Sequence, residues 1–152
     1  MFKVCLTLMF STLMLAACGG SDAHTPIVPA DAQSVTLTPI VPAVAAGEWF
    51  TVALKSDDTL WAWGDNNSGQ LGDGTTENKT VPAQIGSATN WSSIAAGARH
   101  TVALRSDGTL WAWGWTREGQ LGDGTTEHKT VPAQVGLATN WFAIAGGWRH
   151  TV

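Results

Sequence analysis

The sequence predicts an all-β protein assembled from four-stranded antiparallel units, and three observations predict it. Leu60-Trp61-Ala62-Trp63-Gly64 returns as Leu110-Trp111-Ala112-Trp113-Gly114, and Gly69-Gln70-Leu71-Gly72-Asp73-Gly74 returns as Gly119-Gln120-Leu121-Gly122-Asp123-Gly124. Laid over one another without a gap, residues 47–96 and 97–146 agree at 35 of 50 positions. Strand and turn signals fill each copy, and no window of helical length carries a 3.6-residue apolar period. A fixed period of about 20–50 residues marks solenoids and propellers. Four short strands per period, joined by Gly and Asp turns, describe one blade of a β-propeller.

The chain opens with Lys3 and an apolar run from Val4 to Leu15, interrupted mainly by Thr and Ser. That run is too short to span a bilayer comfortably and reads as the core of a secretory signal over residues 1–17. Residues 18–43 shift to Ala, Pro, Thr, Ser and Val, and Thr25-Pro26-Ile27-Val28-Pro29-Ala30 recurs as Thr38-Pro39-Ile40-Val41-Pro42-Ala43. Proline removes backbone donors and favours extended chain, so this segment is expected to be a tether. Within it Ser34-Val35-Thr36-Leu37 alternates like a strand. Val44-Ala45-Ala46-Gly47 aligns with Ile94-Ala95-Ala96-Gly97, so the repeats are expected to occupy 44–152.

Inside a repeat each strand has its own warrant. Thr101-Val102-Ala103-Leu104 places Val and Leu on one face and Thr and Ala on the other. Ser106-Asp107-Gly108 is a tight-turn signal because Gly accepts positive φ without a steric cost. The first copy has Ser56-Asp57-Asp58 there, a weaker turn. Leu110-Trp111-Ala112-Trp113 is the returning strand, and the Trp pairs at 61/63 and 111/113 are read as packing between neighbouring blades. After a Gly-rich loop, Thr130-Val131-Pro132-Ala133-Gln134-Val135 is a short strand that its proline confines to an edge or a strand end. Trp141-Phe142-Ala143-Ile144-Ala145 is expected to be a fourth strand. A third copy then opens as Gly147-Trp148-Arg149-His150-Thr151-Val152. Two blades and the start of a third make an incomplete propeller, and a blade buries its face only against a neighbour. The missing blades are expected from sequence beyond Val152 or from self-association.

Composition excludes several functions. The net charge is −4 with no run of Lys or Arg, so nothing attracts nucleic acid. Both cysteines precede residue 19, leaving the repeats without disulfide or thiol chemistry. Asp65-Asn66-Asn67-Ser68-Gly69 hints at a calcium loop, but the second copy reads Trp115-Thr116-Arg117-Glu118-Gly119 and offers an arginine where a ligand is wanted. The Gly-rich stretch lacks the Lys-Ser/Thr and helix of a phosphate cradle. No nucleophile motif surrounds any Ser. His100 and His150 share a repeat position, but Phe50 fills the third, so each His is read as tying down its own blade. The expectation is a non-enzyme with no catalytic residue, metal or cofactor.

The differences between copies are the functional clue. They cluster at Glu48-Trp49-Phe50 against Ala98-Arg99-His100, and at Asp65 to Ser68 against Trp115 to Glu118. Loops held by a rigid scaffold carry binding more often than the scaffold does. The candidate partner-binding residues are therefore Glu48, Trp49, Asp65, Asn66, Arg99, Trp115, Arg117 and Glu118, with Trp148 and Arg149 from the third copy. Trp, Arg and Glu suit the rim of a protein interface, so the expected partner is an unidentified protein.

Ile94-Ala95-Ala96-Gly97-Ala98-Arg99-His100-Thr101-Val102-Ala103-Leu104 resembles the repeat signature of the regulator-of-chromosome-condensation (RCC1) family, and Trp63-Gly64-Asp65-Asn66-Asn67-Ser68-Gly69-Gln70-Leu71-Gly72 resembles its second hallmark. Phe50 departs from the signature histidine and Thr116 from the hallmark asparagine. The resemblance implies propellers of about seven four-stranded blades and a role as an interaction scaffold. Its alternatives are binding or inhibition of an extracellular enzyme, and guanine-nucleotide exchange as in the eukaryotic founder. Gly147-Trp148-Arg149-His150-Thr151 also resembles the plant ultraviolet-B photoreceptor branch, in one copy of three. Leu15-Ala16-Ala17-Cys18-Gly19 resembles the lipobox of bacterial lipoproteins. It implies Cys18 as the lipidated first residue of a mature, membrane-anchored protein outside the cytoplasm, at about 0.8 kcal/mol per buried CH₂. With Gly19 next, the resemblance implies the outer membrane where the host has one.

Overall fold

Alternation in Phe50-Thr51-Val52-Ala53-Leu54 puts Phe50, Val52 and Leu54 on one buried face, while the equivalent His100-Thr101-Val102-Ala103-Leu104 is buried on both. The structure, a computed structural model, describes residues 43–152. The first sheet runs β1 (Ala43–Ala46), β2 (Phe50–Leu54), β3 (Leu60–Gly64) and β4 (Lys79–Gln84), in that order. The second runs β5 (Trp91–Ala96), β6 (His100–Arg105), β7 (Leu110–Gly114) and β8 (Lys129–Gln134). Every pairing is antiparallel, and no helix occurs among the described residues. The all-β blade architecture read from the sequence is the one observed. Pro82 and Pro132 lie on β4 and β8, the edge strands, where a missing N–H need cost no ladder bond.

The hairpin turns follow the local chemistry. Asp57 Oδ1 accepts from the Thr59 hydroxyl at 2.6 Å, and Asp107 Oδ1 accepts from the Thr109 hydroxyl at 2.6 Å. Asp58 sits at φ 59° and Gly108 at φ 77°, the left-handed region in both copies. Asp adopts that region at a steric cost that Gly avoids. Asp58→Gly should raise the unfolding free energy by about 0.5–1 kcal/mol. A urea midpoint equal to or below wild type would count against this account of the turn.

Three corrections to the sequence reading arise here. First, repeat and sheet are out of phase: Trp91–Ala96, the last strand of repeat 47–96, pairs with β6 in the second sheet. The first sheet takes its opening strand from before that repeat. The tight connection at Gly97-Ala98-Arg99 makes β5 and β6 a hairpin, with Gly97 N–H donating to His100 O at 2.9 Å. Second, Trp141–Ala145 is not a regular strand. Its contacts to Thr151 and Val152 are one isolated bridge at Gly146 and a pair of bonds between Ala145 and Val152. Third, Ala43 belongs to β1, not to the tether. The signal segment, Cys18 and the strand expected at Ser34–Leu37 lie outside the described residues.

The main core lies between the sheets. Val52, Leu54, Leu60, Ala62, Leu71 and Ile85 of the first sheet and its loops meet Trp91, Ala103 and Trp113 of the second. Trp113 is fully buried, and its indole lies against Gly72, where a Cβ would come within 2.5 Å of Nε1. Gly is therefore required there by close approach. Trp91 packs edge-on to Trp111 at 6.0 Å, and the Arg105 guanidinium lies 3.8 Å from the Trp111 ring centre. The equivalent Trp61 and Trp63 are half-buried. Interblade packing thus holds for the second pair. A smaller cluster of Val102, Leu104 and Leu110 lies on the far face of the second sheet, with Val135 and Ile144 against it.

His100 is also corrected. It is fully buried, and its Nε2 lies 3.2 Å from the Thr151 hydroxyl, which belongs to the next repeat. That hydroxyl donates to Gln120 O at 2.7 Å, so it accepts from the His100 N–H. Thr101 makes the same reach to Gln70 O, also at 2.7 Å. The Thr-to-Gln bonds tie one repeat to the next, and His100 adds to the second tie instead of bracing its own blade.

Candidate functional site

The hairpin register brings the two divergent clusters together. Phe50 pairs with Gly64 and His100 with Gly114, so residues just before the first strand face those just after the second. Asp65 N–H donates to Trp49 O at 2.9 Å, and Trp115 N–H donates to Arg99 O at 2.8 Å. Glu48 N–H donates to Ala98 O at 3.0 Å and sets neighbouring repeats side by side.

Along this edge runs a continuous chain of contacts. Arg99 Nε lies 3.3 Å from Glu48 Oε2, and its guanidinium carbon is 5.9 Å from the Trp115 ring centre. Trp115 Nε1 donates to Glu118 Oε2 at 2.9 Å, and Gln120 Nε2 donates to the same oxygen at 3.2 Å. Arg149 Nη1 lies 3.6 Å from Glu118 Oε1. The Trp115 indole bond, with Gln120 and Arg149 behind it, holds the Glu118 carboxyl below the usual carboxylate range. Trp115 is braced from below by a stack on His128 at 4.8 Å, and Arg117 lies 5.2 Å from its ring centre. Glu48, Arg99, Trp115, Glu118, Trp148 and Arg149 surround a shallow cavity of about 210 Å³.

Six of the ten candidates therefore line one cavity. Trp49, Asp65 and Arg117 stand outside it, and Trp49 is 70% exposed. Asn66 is withdrawn as a contact residue because it is fully buried. Its amide donates to Asp73 Oδ1 and Thr75 O, both at 3.0 Å, while its carbonyl accepts from Leu71 N–H at 3.0 Å. It staples the Gly-rich loop. In the second copy Thr116 replaces it and accepts from Leu121 N–H at a longer 3.4 Å.

Sequence reasoning overlooked Gln120, which orients Glu118, and His128, which supports Trp115. The signal for His128 was present: Asn78 Oδ1 accepts from Asn66 N–H at 2.7 Å, and His128 Nδ1 accepts from Thr116 N–H at 3.1 Å. The two substitutions occur together. A second cavity of about 510 Å³ lies against Leu110, Leu121 and Val135 on the far face of the second sheet. Among the described residues no group of three or more His, Cys, Asp or Glu side chains is placed to hold a metal. No helix there is long and apolar enough to cross a membrane.

Stacked four-stranded antiparallel sheets of one repeat, with variable loops along one edge, define a propeller-blade repeat protein. The chain belongs to the Regulator of chromosome condensation (RCC1) repeat family, whose sequence model matches residues 57–104 and 107–152. A second model of the same description matches 43–70 and 91–120. The chain is similar to yeast RCC1 (Prp20) as crystallised bound to Kap60, with a TM-score of 0.63 and 26% identity over 74% of this chain. It is similar to human WBSCR16, with a TM-score of 0.64 and 27% identity over 72% of this chain. It spans 29% of the length of each of those structures. It is also 43% identical over 47 residues to the E3 ubiquitin-protein ligase HERC2 of Homo sapiens, a match covering 31% of this chain and 1% of that protein.

Proposed function

We propose that this protein is a membrane-anchored interaction scaffold outside the cytoplasm, and that the edge strip from Glu48 to Arg149 is its contact surface. One observation carries the reading. The two tightest clusters of difference between near-identical repeats meet along one edge, where Glu48, Arg99, Trp115 and Glu118 line a single cavity with Trp148 and Arg149. Selection for packing alone gives no reason for that convergence. Trp148, 62% exposed, adds the kind of aromatic surface on which interfaces are centred. Relatives meet protein partners too: yeast RCC1 is bound to Kap60, and the binding of Prp20p to Gsp1p and histones is described. The anchor rests on the lipobox-like Leu15-Ala16-Ala17-Cys18-Gly19.

The two halves are tested separately. Labelled palmitate should enter the wild-type protein and not Cys18→Ala; equal labelling of both would remove the anchor. In a pull-down with the full chain, Trp115→Ala should reduce retention of the partner about tenfold, as loss of an aromatic anchor does. Unchanged retention would remove the strip as the contact surface.

A further inference from the structure

Most of the hydrogen-bonding capacity left over along the strip is donor capacity. Glu118 Oε2 already takes two donors and Oε1 faces Arg149, while Glu48 Oε2 takes Arg99 Nε. Each guanidinium offers five N–H groups. Arg99 spends its Nε on Glu48, and Arg149 spends one Nη1 on Glu118. Arg117 makes no ion pair among the described residues and rests over Trp115. Glu118, which already takes three donors, and Glu48, which takes one, thus stand beside three largely uncommitted guanidiniums. The Arg99 and Arg149 side chains are 50% and 68% exposed, so both can be reached from solvent.

We infer that the strip receives an acidic segment of a protein partner, whose carboxylates meet Arg99 and Arg149 and whose apolar neighbours meet Trp115 and Trp148. This rests on the strip being the contact surface. Planar guanidinium and carboxylate match in two parallel hydrogen bonds, which gives direction as well as attraction. Residues 99 and 149 are the same position of successive repeats, so an extended segment crossing the blades meets one and then the other. The flanking indoles supply apolar area that a free anion could not use, which favours a peptide over a small ion. A basic segment has no equivalent welcome. It would meet the charges of Arg99 and Arg149, which stand against Glu48 and Glu118.

The test uses the full chain and three labelled synthetic peptides read by fluorescence anisotropy. One alternates Asp or Glu with Phe or Trp, one has Lys in place of each acid, and one has Ser there. The acidic peptide should bind best, and its affinity should fall as salt rises. Arg99→Gln and Arg149→Gln should each weaken it about tenfold. Lys55→Gln, away from the strip, should leave it unchanged. Equal binding of the Lys or Ser peptide, or no effect of either arginine change, overturns the inference. If one of those other peptides binds and Trp115→Ala abolishes it, the strip remains a contact surface and only its acidic preference falls. If no peptide binds and Trp115→Ala also leaves partner retention unchanged, both fall.

Discussion

Trp113→Ala should lower the unfolding free energy by about 3–5 kcal/mol, the range for removing a large buried aromatic. Trp63→Ala, in the identical Leu-Trp-Ala-Trp-Gly context, should cost less than about 2 kcal/mol. The difference lies in what each indole meets. Trp113 is fully buried between the sheets against Gly72, while Trp63 is half-buried. A third variant separates apolar burial from hydrogen bonding. The Trp113 indole N–H is buried without a partner among the described residues, so Trp113→Phe should retain most of the lost stability. Urea melts of the three variants decide the matter. Equal losses for Trp63→Ala and Trp113→Ala would mean that the second sheet does not lean on the first in this way.

Acidification from pH 6.5 toward 4 should destabilise the protein through His100. Burial, with His150 nearby, pushes His100 down from 6.5 to about 4. The folded state therefore holds this imidazole neutral, and the unfolded chain takes the proton first. The stability it confers is complete above pH 6.5 and is lost as pH falls toward 4, amounting to about 3 kcal/mol at most. His100→Phe tests this with a residue the protein already uses, since Phe50 fills the equivalent place in the first copy. The rings of Phe50 and His100 lie over Gly47 and Gly97 in the same manner, so the exchange keeps the shape. The variant gives up the bond to Thr151, whose hydroxyl still donates to Gln120 O. Its urea midpoint should be flatter than that of wild type between pH 6.5 and 4.5. The same slope in both proteins would exclude His100 as the source.

Much of the fold was legible because the repeat states each strand twice. The alternation of β2 and β6, the Asp-centred turns and the edge prolines all act over a few residues, which is the range that sequence pattern reports. The assignment of Trp91–Ala96 to the second sheet was harder, since a perfect repeat can be cut anywhere without changing its pattern. The tight connection through Gly97-Ala98-Arg99, which joins β5 to β6, carried that information. The site was legible through the hairpin: strand ends that pair in register place residues 48–50 beside 64–68. Asn66 misled because a polar residue in a variable loop looks exposed, when its amide is spent inside the loop. The joint change of Asn66 to Thr116 and Asn78 to His128 would have placed it.

The phase offset between repeat and sheet has a consequence for how the molecule melts. Repeat 47–96 donates its last strand to the second sheet, and the first sheet takes its opening strand from before that repeat, so neither sheet is built from one repeat alone. Loosening the first sheet uncovers Trp91 of β5, which packs against it, and also breaks the Thr101 reach to Gln70. In a chain of nearest-neighbour units, such sharing moves stability out of the units and into the couplings between them. Partial unfolding at one end therefore gains little freedom and forfeits two sets of contacts. The blades are expected to come apart in a single transition, as links that open only together.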